Sequence, residues 1–183
     1  MNAVIIFLFL YGQKTFGLTV QTFFPVYAIF ALGAAAGSLL IAKSIDTHGG
    51  KAVLTIAAGI WIAVILLLSH LNPLSNLIGI THYTLFIISG ILGGAALGLV
   101  WSSNRPLLIQ LSPKRKLAEY FGFLELTDKF SGVLGPLLFG YLATYHGYQT
   151  ALYSLLGFFG LGLWMLRWVP HTGQRNRMRE HTI

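Results

Sequence analysis

Residues 52–104 contain no Asp, Glu, Lys or Arg, and neither do residues 15–42 or residues 130–166. A helix needs about 20 consecutive apolar residues to cross a bilayer. The outer two stretches each hold a span, and the middle one is long enough for two spans and a turn. Only 9% of the chain is charged, against about 25% in soluble domains. The fold class this implies is all-α, a polytopic membrane helix bundle whose first partner is the lipid bilayer.

In order, residues 2–13 are apolar but short, since twelve helical residues rise about 18 Å against a hydrocarbon core of about 30 Å. They have no polar face to lie on a membrane surface, so they read as the outer end of a span whose start is missing. Without a basic leader or a small-residue cleavage site they do not read as a signal peptide. Spans are expected at 19–42, 52–69, 82–111, 118–145 and 149–168, giving five full spans and a partial one. A polar loop is expected at 43–51, a break at Asn72-Pro73 through Asn76, and a turn at His146-Gly147. Pro25 is tolerable as a kink, and Gly33 and Gly37 are spaced for close helix approach. Residues 170–183 form a basic tail that reads as disordered.

The net charge is +7, but its placement excludes a nucleic-acid partner. The basic residues sit in short clusters beside apolar runs, where they encode membrane orientation. Lys43, Lys51, Lys114, Arg115, Lys116, Arg167, Arg175, Arg177 and Arg179 fall on one face, and Lys14 on the other. The first face is therefore expected to be cytoplasmic, with the C-terminus. Tyr83, Tyr145 and Tyr148 fall at the opposite interface as an aromatic belt.

The remaining basic residues, Arg105 and Lys129, fall inside spans, with Glu125 and Asp128 beside them. At about 1.5 Å per residue from the 112–118 loop, Arg105 and Glu125 share a depth of about 10 Å, and Asp128 and Lys129 lie near the midplane. A charge facing lipid unpaired costs roughly 2.5–3.5 kcal/mol, so these four form a candidate charge network that must pair or face a polar interior. Gly90, Gly94, Gly98, Ser102 and Arg105 share one helical stripe, and Glu125, Asp128, Gly132 and Gly135 another. Both stripes suit helix contact or a cavity wall. Glu125 also precedes Lys129 by four residues, the favourable order for an in-helix pair. Pro106 and Pro136 each remove an amide donor, leaving the carbonyls of Ser102 and Gly132 without their usual partner. The bland reading of the network is a buried structural lock on helix register. Asp128, with no assigned counter-ion, is the candidate for a proton or a substrate group.

Chemistry of other kinds finds little support. There is no cysteine, the six histidines fall in loops or the tail, and none sits at metal-ligand spacing. No HExxH or GxSxG occurs, and no phosphate loop follows a strand. The chain reads as no enzyme, with no cofactor and no metal.

Arg105 to Leu108, Leu111-Ser112-Pro113, Ala118-Glu119-Tyr120-Phe121-Gly122, Lys129-Phe130-Ser131 and Leu134-Gly135-Pro136 resemble the major facilitator superfamily. The resemblance is to the second half of the vacuole-effluxer branch, related to the autophagy-linked amino-acid exporters of fungal vacuoles and common in bacteria. It implies the C-terminal six-helix half of a secondary transporter. A small solute would be carried, amino acids being one class, with proton coupling and a bacterial inner membrane as expectations. The superfamily's loop motif, Gly-x3-Asp-Arg-x-Gly-Arg-Lys, is matched in part by Asp46, Gly49 and Lys51. Ala42, Thr47 and Gly50 depart from it. In the family this loop aspartate docks onto the other half. Because the resemblance covers only the last six helices, the route needs an N-terminal half or a second copy as partner. The rival reading is a truncated protein or interaction remnant that inserts and carries nothing.

Overall fold

The computed structural model describes residues 12, 13, 17 and 19–169, with the side chains of 20, 40–48, 72 and 76–78 left aside. Nearly all of the partial span expected at 2–13, and the tail from Pro170, lie outside the described residues.

Among the described residues from Thr19 onward, five helices follow one another: α1 (Val20–Ser69), α2 (Leu71–Ile78), α3 (His82–Leu111), α4 (Leu117–Tyr145) and α5 (Tyr148–Arg167), with a 3-10 turn at Lys114–Lys116 before α4. A reciprocal cap starts α1. The Thr19 hydroxyl accepts from the Thr22 amide, and the Thr22 hydroxyl lies 2.8 Å from the Thr19 amide. Helical backbone then runs through Pro25 to one residue, Gly49, at φ 78 and ψ 155. The polar loop expected over 43–51 is thus reduced to a break at a single glycine. Positive φ is open to glycine because it has no Cβ, so one residue reverses the chain and divides α1 into two arms.

The expected break at 72–76 is also different. Leu71–Ile78 is a short helix, with Pro73 in its first turn, where the missing N–H has no helical partner to lose. Leu71 is buried and Leu74 packs on the core. The Ser75 hydroxyl donates to the Ile80 carbonyl at 2.7 Å, and Gly79, in the left-handed region at φ 71, ends the element. Gly147, at φ 86, makes the turn into α5.

The first arm runs parallel to α3 along a seam with almost no side chain between the backbones. A Cβ placed on Gly98 would lie 2.0 Å from the Ala34 carbonyl oxygen, and one on Gly94 2.1 Å from that of Phe30. From the other side, a Cβ on Gly37 would lie 2.3 Å from the Ala95 carbonyl oxygen. The second arm runs antiparallel to α3. Gly50 meets Ser103 and Leu107, and the Trp61 ring lies against Gly93. Trp61, Val64, Ile65 and Leu68 of this arm join Phe86 and Leu97 of α3 and Leu152 of α5 in the main core. Trp61 stacks on Phe159 with centroids 6.1 Å apart.

Four segments among the described residues are long and apolar enough to cross a bilayer: Gln21–Leu39, Gly49–Ser69, His82–Leu111 and Tyr148–Arg167. Helix α4, at 29 residues, has the length. Its four charges, Glu119, Glu125, Asp128 and Lys129, deny it the composition. It also contributes a single buried residue, Phe139. The helix therefore leans on α5, and most of its surface is left uncovered by the described residues.

Candidate functional site: the charged face of the α3–α4 hairpin

Pro113, one residue beyond the cap of α3, carries the chain, at φ −63, into the Lys114–Lys116 turn. Ser112 caps α3, its amide donating to the Leu108 carbonyl at 2.9 Å. This short connection sets α3 and α4 side by side near the turn. Arg105 Nη2 lies 3.9 Å from Glu125 Oε1. At that distance the interaction is Coulombic rather than a hydrogen bond. Both side chains are open on this chain, 72% and 58% exposed. A second pair, Lys116 Nζ to Glu119 Oε2 at 3.8 Å, sits at the mouth of the hairpin.

The Glu125 carboxylate is engaged with Arg105 on the neighbouring helix rather than with Lys129 on its own. Asp128 and Lys129 are exposed, and among the described residues neither has an ion-pair partner. The hydroxyls around them serve their own helix: Ser131 donates to the Asp128 carbonyl at 3.0 Å and Thr127 to that of Phe123 at 2.8 Å. The four charged groups are thus open among the described residues, and Phe123, Leu126, Phe130 and Val133 of α4 are exposed as well.

The other sequence-derived candidates separate by element. Gly94 and Gly98 are buried in the seam with α1. Pro106 and Pro136 lie inside continuous helices. Gly132 is half-buried. Gly135 lines a groove of about 380 Å³ between α4 and α5, with Phe130, Leu134 and Phe158. In the loop motif, Gly49 makes the reversal, and the side chain of Asp46 lies outside the described residues. Lys51 has a role that its motif position does not suggest. It is only 9% exposed, and its ammonium donates to the Arg167 carbonyl at 3.2 Å and to the Val169 carbonyl. A cation at a helix C-terminus satisfies open carbonyls and the negative dipole end together. The signal was available: a lysine opening one apolar run, and a later helix ending at the same face.

The model of the family described as Major Facilitator Superfamily matches residues 1–181. The chain belongs to this superfamily. Among curated proteins it is 28% identical to the uncharacterized MFS-type transporter YxiO of Bacillus subtilis (strain 168) over 75% of this chain and 30% of the relative. To autophagy-related protein 22 of Kluyveromyces lactis it is 33% identical over 57% of this chain and 21% of the relative. The protein of the same name from Candida glabrata is 27% identical over 60% of this chain and 20% of the relative. These relatives agree with the vacuole-effluxer resemblance of the motif run. The chain spans less than a third of their length. No solved structure matches significantly. The superfamily is a class of transporters rather than enzymes, and its members are integral membrane proteins acting on small solutes.

Proposed function

We propose that this chain forms one wall of a secondary active transporter, moving a small solute by alternating access against a second six-helix half. One observation carries the reading: Arg105 and Glu125 approach each other across the α3–α4 hairpin, and these two, Asp128 and Lys129 are all left open among the described residues. Facing lipid, each would cost roughly 2.5–3.5 kcal/mol. Facing a partner half and a water-filled route between the halves, they are solvated and available to a substrate. On this reading α4 crosses the membrane in spite of its charges, because its polar side is turned to the partner. Amino acids are the solute class that the vacuole-effluxer resemblance favours. Asp128, without a counter-ion among the described residues, is the group proposed to carry a coupled proton. The Lys114–Lys116 turn and Arg167 are assigned to the cytoplasmic side by the positive-inside bias, and the membrane to a bacterial inner membrane.

The test is counterflow of a labelled amino-acid mixture in proteoliposomes. They would hold this chain with the first six helices of the Bacillus subtilis relative supplied as a second polypeptide. Uptake is expected, with Glu125→Gln lowering it at least about tenfold, the scale of a lost charge partner. Asp128→Asn is expected to retain insertion and exchange while removing the response to an imposed pH gradient. Uptake unaffected by Glu125→Gln would reject the charged face as the route. A full pH response in Asp128→Asn would reject that residue as the proton carrier.

A further inference from the structure

Away from the hairpin, the second arm of α1 and helix α5 enclose a groove of about 630 Å³, lined by Lys51, Thr55, Gly160, Trp164 and Arg167 among others. That volume lies within the roughly 300–1,000 Å³ of small-molecule sites. We infer that this groove holds the headgroup and upper acyl chain of an anionic glycerophospholipid. The inference is independent of the transport reading, since it uses neither the charged hairpin nor a partner half.

Position is the first argument. The groove lies where the apolar segment Gly49–Ser69 begins and Tyr148–Arg167 ends, so it straddles the boundary between hydrocarbon and water. Trp164 and Trp168, both exposed and in edge-to-face contact at 6.2 Å, mark that level, where indole rings settle. The lining changes with depth as a lipid does. Lys51 and Arg167 stand at the polar end, and Gly160 and Leu163 continue into the apolar segment.

Charge is the second. Among the described residues no carboxylate lines the groove. A helix C-terminus would normally repel a phosphate through its negative dipole end. Here the Lys51 ammonium takes the carbonyls of Arg167 and Val169 and cancels that field. Thr55 donates to the Lys51 carbonyl at 3.0 Å, holding the start of the arm in place. The Arg167 guanidinium, exposed and without an ion-pair partner among the described residues, is left to meet a phosphate with a bidentate fork. A basic pocket between membrane helices at the interface is the chemistry that retains anionic lipid headgroups.

The experiment uses the full chain purified in neutral detergent. Bound lipid is counted by native mass spectrometry, and thermal stability is followed on adding phosphatidylglycerol, phosphatidylcholine or inorganic phosphate. Phosphatidylglycerol should be retained and raise the melting temperature, and the other two should not. Arg167→Gln should weaken phosphatidylglycerol binding about fivefold, the effect of one basic residue at an anionic surface. Gly160→Phe should weaken it similarly by filling the groove, because Gly160 lines it, a Cβ there meets no atom within 4 Å and the charge is unchanged. Arg115→Gln, which removes a charge from the exposed turn, should leave binding intact. Unchanged binding in Arg167→Gln or Gly160→Phe would overturn the site. So would an equal loss in Arg115→Gln, which would make the attraction a general surface effect. Equal stabilisation by inorganic phosphate would make the ligand a free anion, and equal retention of phosphatidylcholine would remove the charge argument.

Discussion

At the residue scale, the Arg105–Glu125 pair has a loose separation of 3.9 Å and high exposure on this chain. In water such a pair contributes little, because solvent screens it. Between two transporter halves, or in lipid, each partner becomes the condition for the other to be tolerated. Arg105→Met alone or Glu125→Gln alone should therefore lower the melting temperature in lipid nanodiscs more than the double variant does. Additive losses would show that the two groups do not meet in the membrane. Lys51 differs in kind, being buried with defined acceptors. Lys51→Met should destabilise the chain by about 1.5–3 kcal/mol, as expected for charged hydrogen bonds lost at a helix end, measured by denaturant unfolding in detergent.

At the scale of elements, the α1–α3 seam depends on missing side chains. Gly98→Ala adds a methyl group 2.0 Å from a backbone oxygen, and backbone cannot move aside as a flexible side chain would. The helices must separate, at a cost of about 1–3 kcal/mol. Gly90 lies on the same stripe but has nothing within 4 Å of its would-be Cβ. Gly90→Ala should be neutral or stabilising by up to about 1 kcal/mol through helix propensity. Comparing the two by thermal unfolding separates close packing from propensity within a single helix. The stripe itself is visible as four-residue spacing. Which of its glycines touches α1 is not, because that depends on where the first arm crosses.

For the whole molecule, the Lys114–Lys116 turn, the Gly49 reversal and the end of α5 come together at one end of the bundle. Contacts of Gly50 with Ser103 and Leu107, and of Lys51 with the end of α5, join them. Thr81 stands at the far end of α3. Cysteine placed at Arg115 and at Thr81, both exposed, should be labelled from opposite sides of sealed vesicles, Arg115 from the cytoplasmic side. Labelling of both from one side would reject the bundle direction. Ser112 and Ser75, the nearby serines, are buried and would report poorly.

Read alone, the residues determine the membrane class and, to within a residue, the bounds of α3, α4 and α5, and they put ionisable side chains inside two of those long helices. Each is a local property: the length of an uncharged run, a proline or glycine at its end, an ionisable side chain in its interior. The motif run from Arg105 to Pro136 likewise carries the superfamily without any coordinates. Three features were settled by the tertiary structure alone. The expected loop at 43–51 contracts to Gly49, because a polar composition permits a loop while backbone geometry decides how many residues the reversal needs. The break at Asn72-Pro73 becomes α2, because Leu71 and Leu74 find a core to pack on. Of the two cations the sequence offered Glu125, Arg105 at a shared depth and Lys129 on its own helix, it lies beside Arg105, because a neighbouring helix brought alongside by a short turn offers a cation across the gap. In each case the deciding partner lies outside the local stretch, and only the packing of α1, α3, α4 and α5 supplies it.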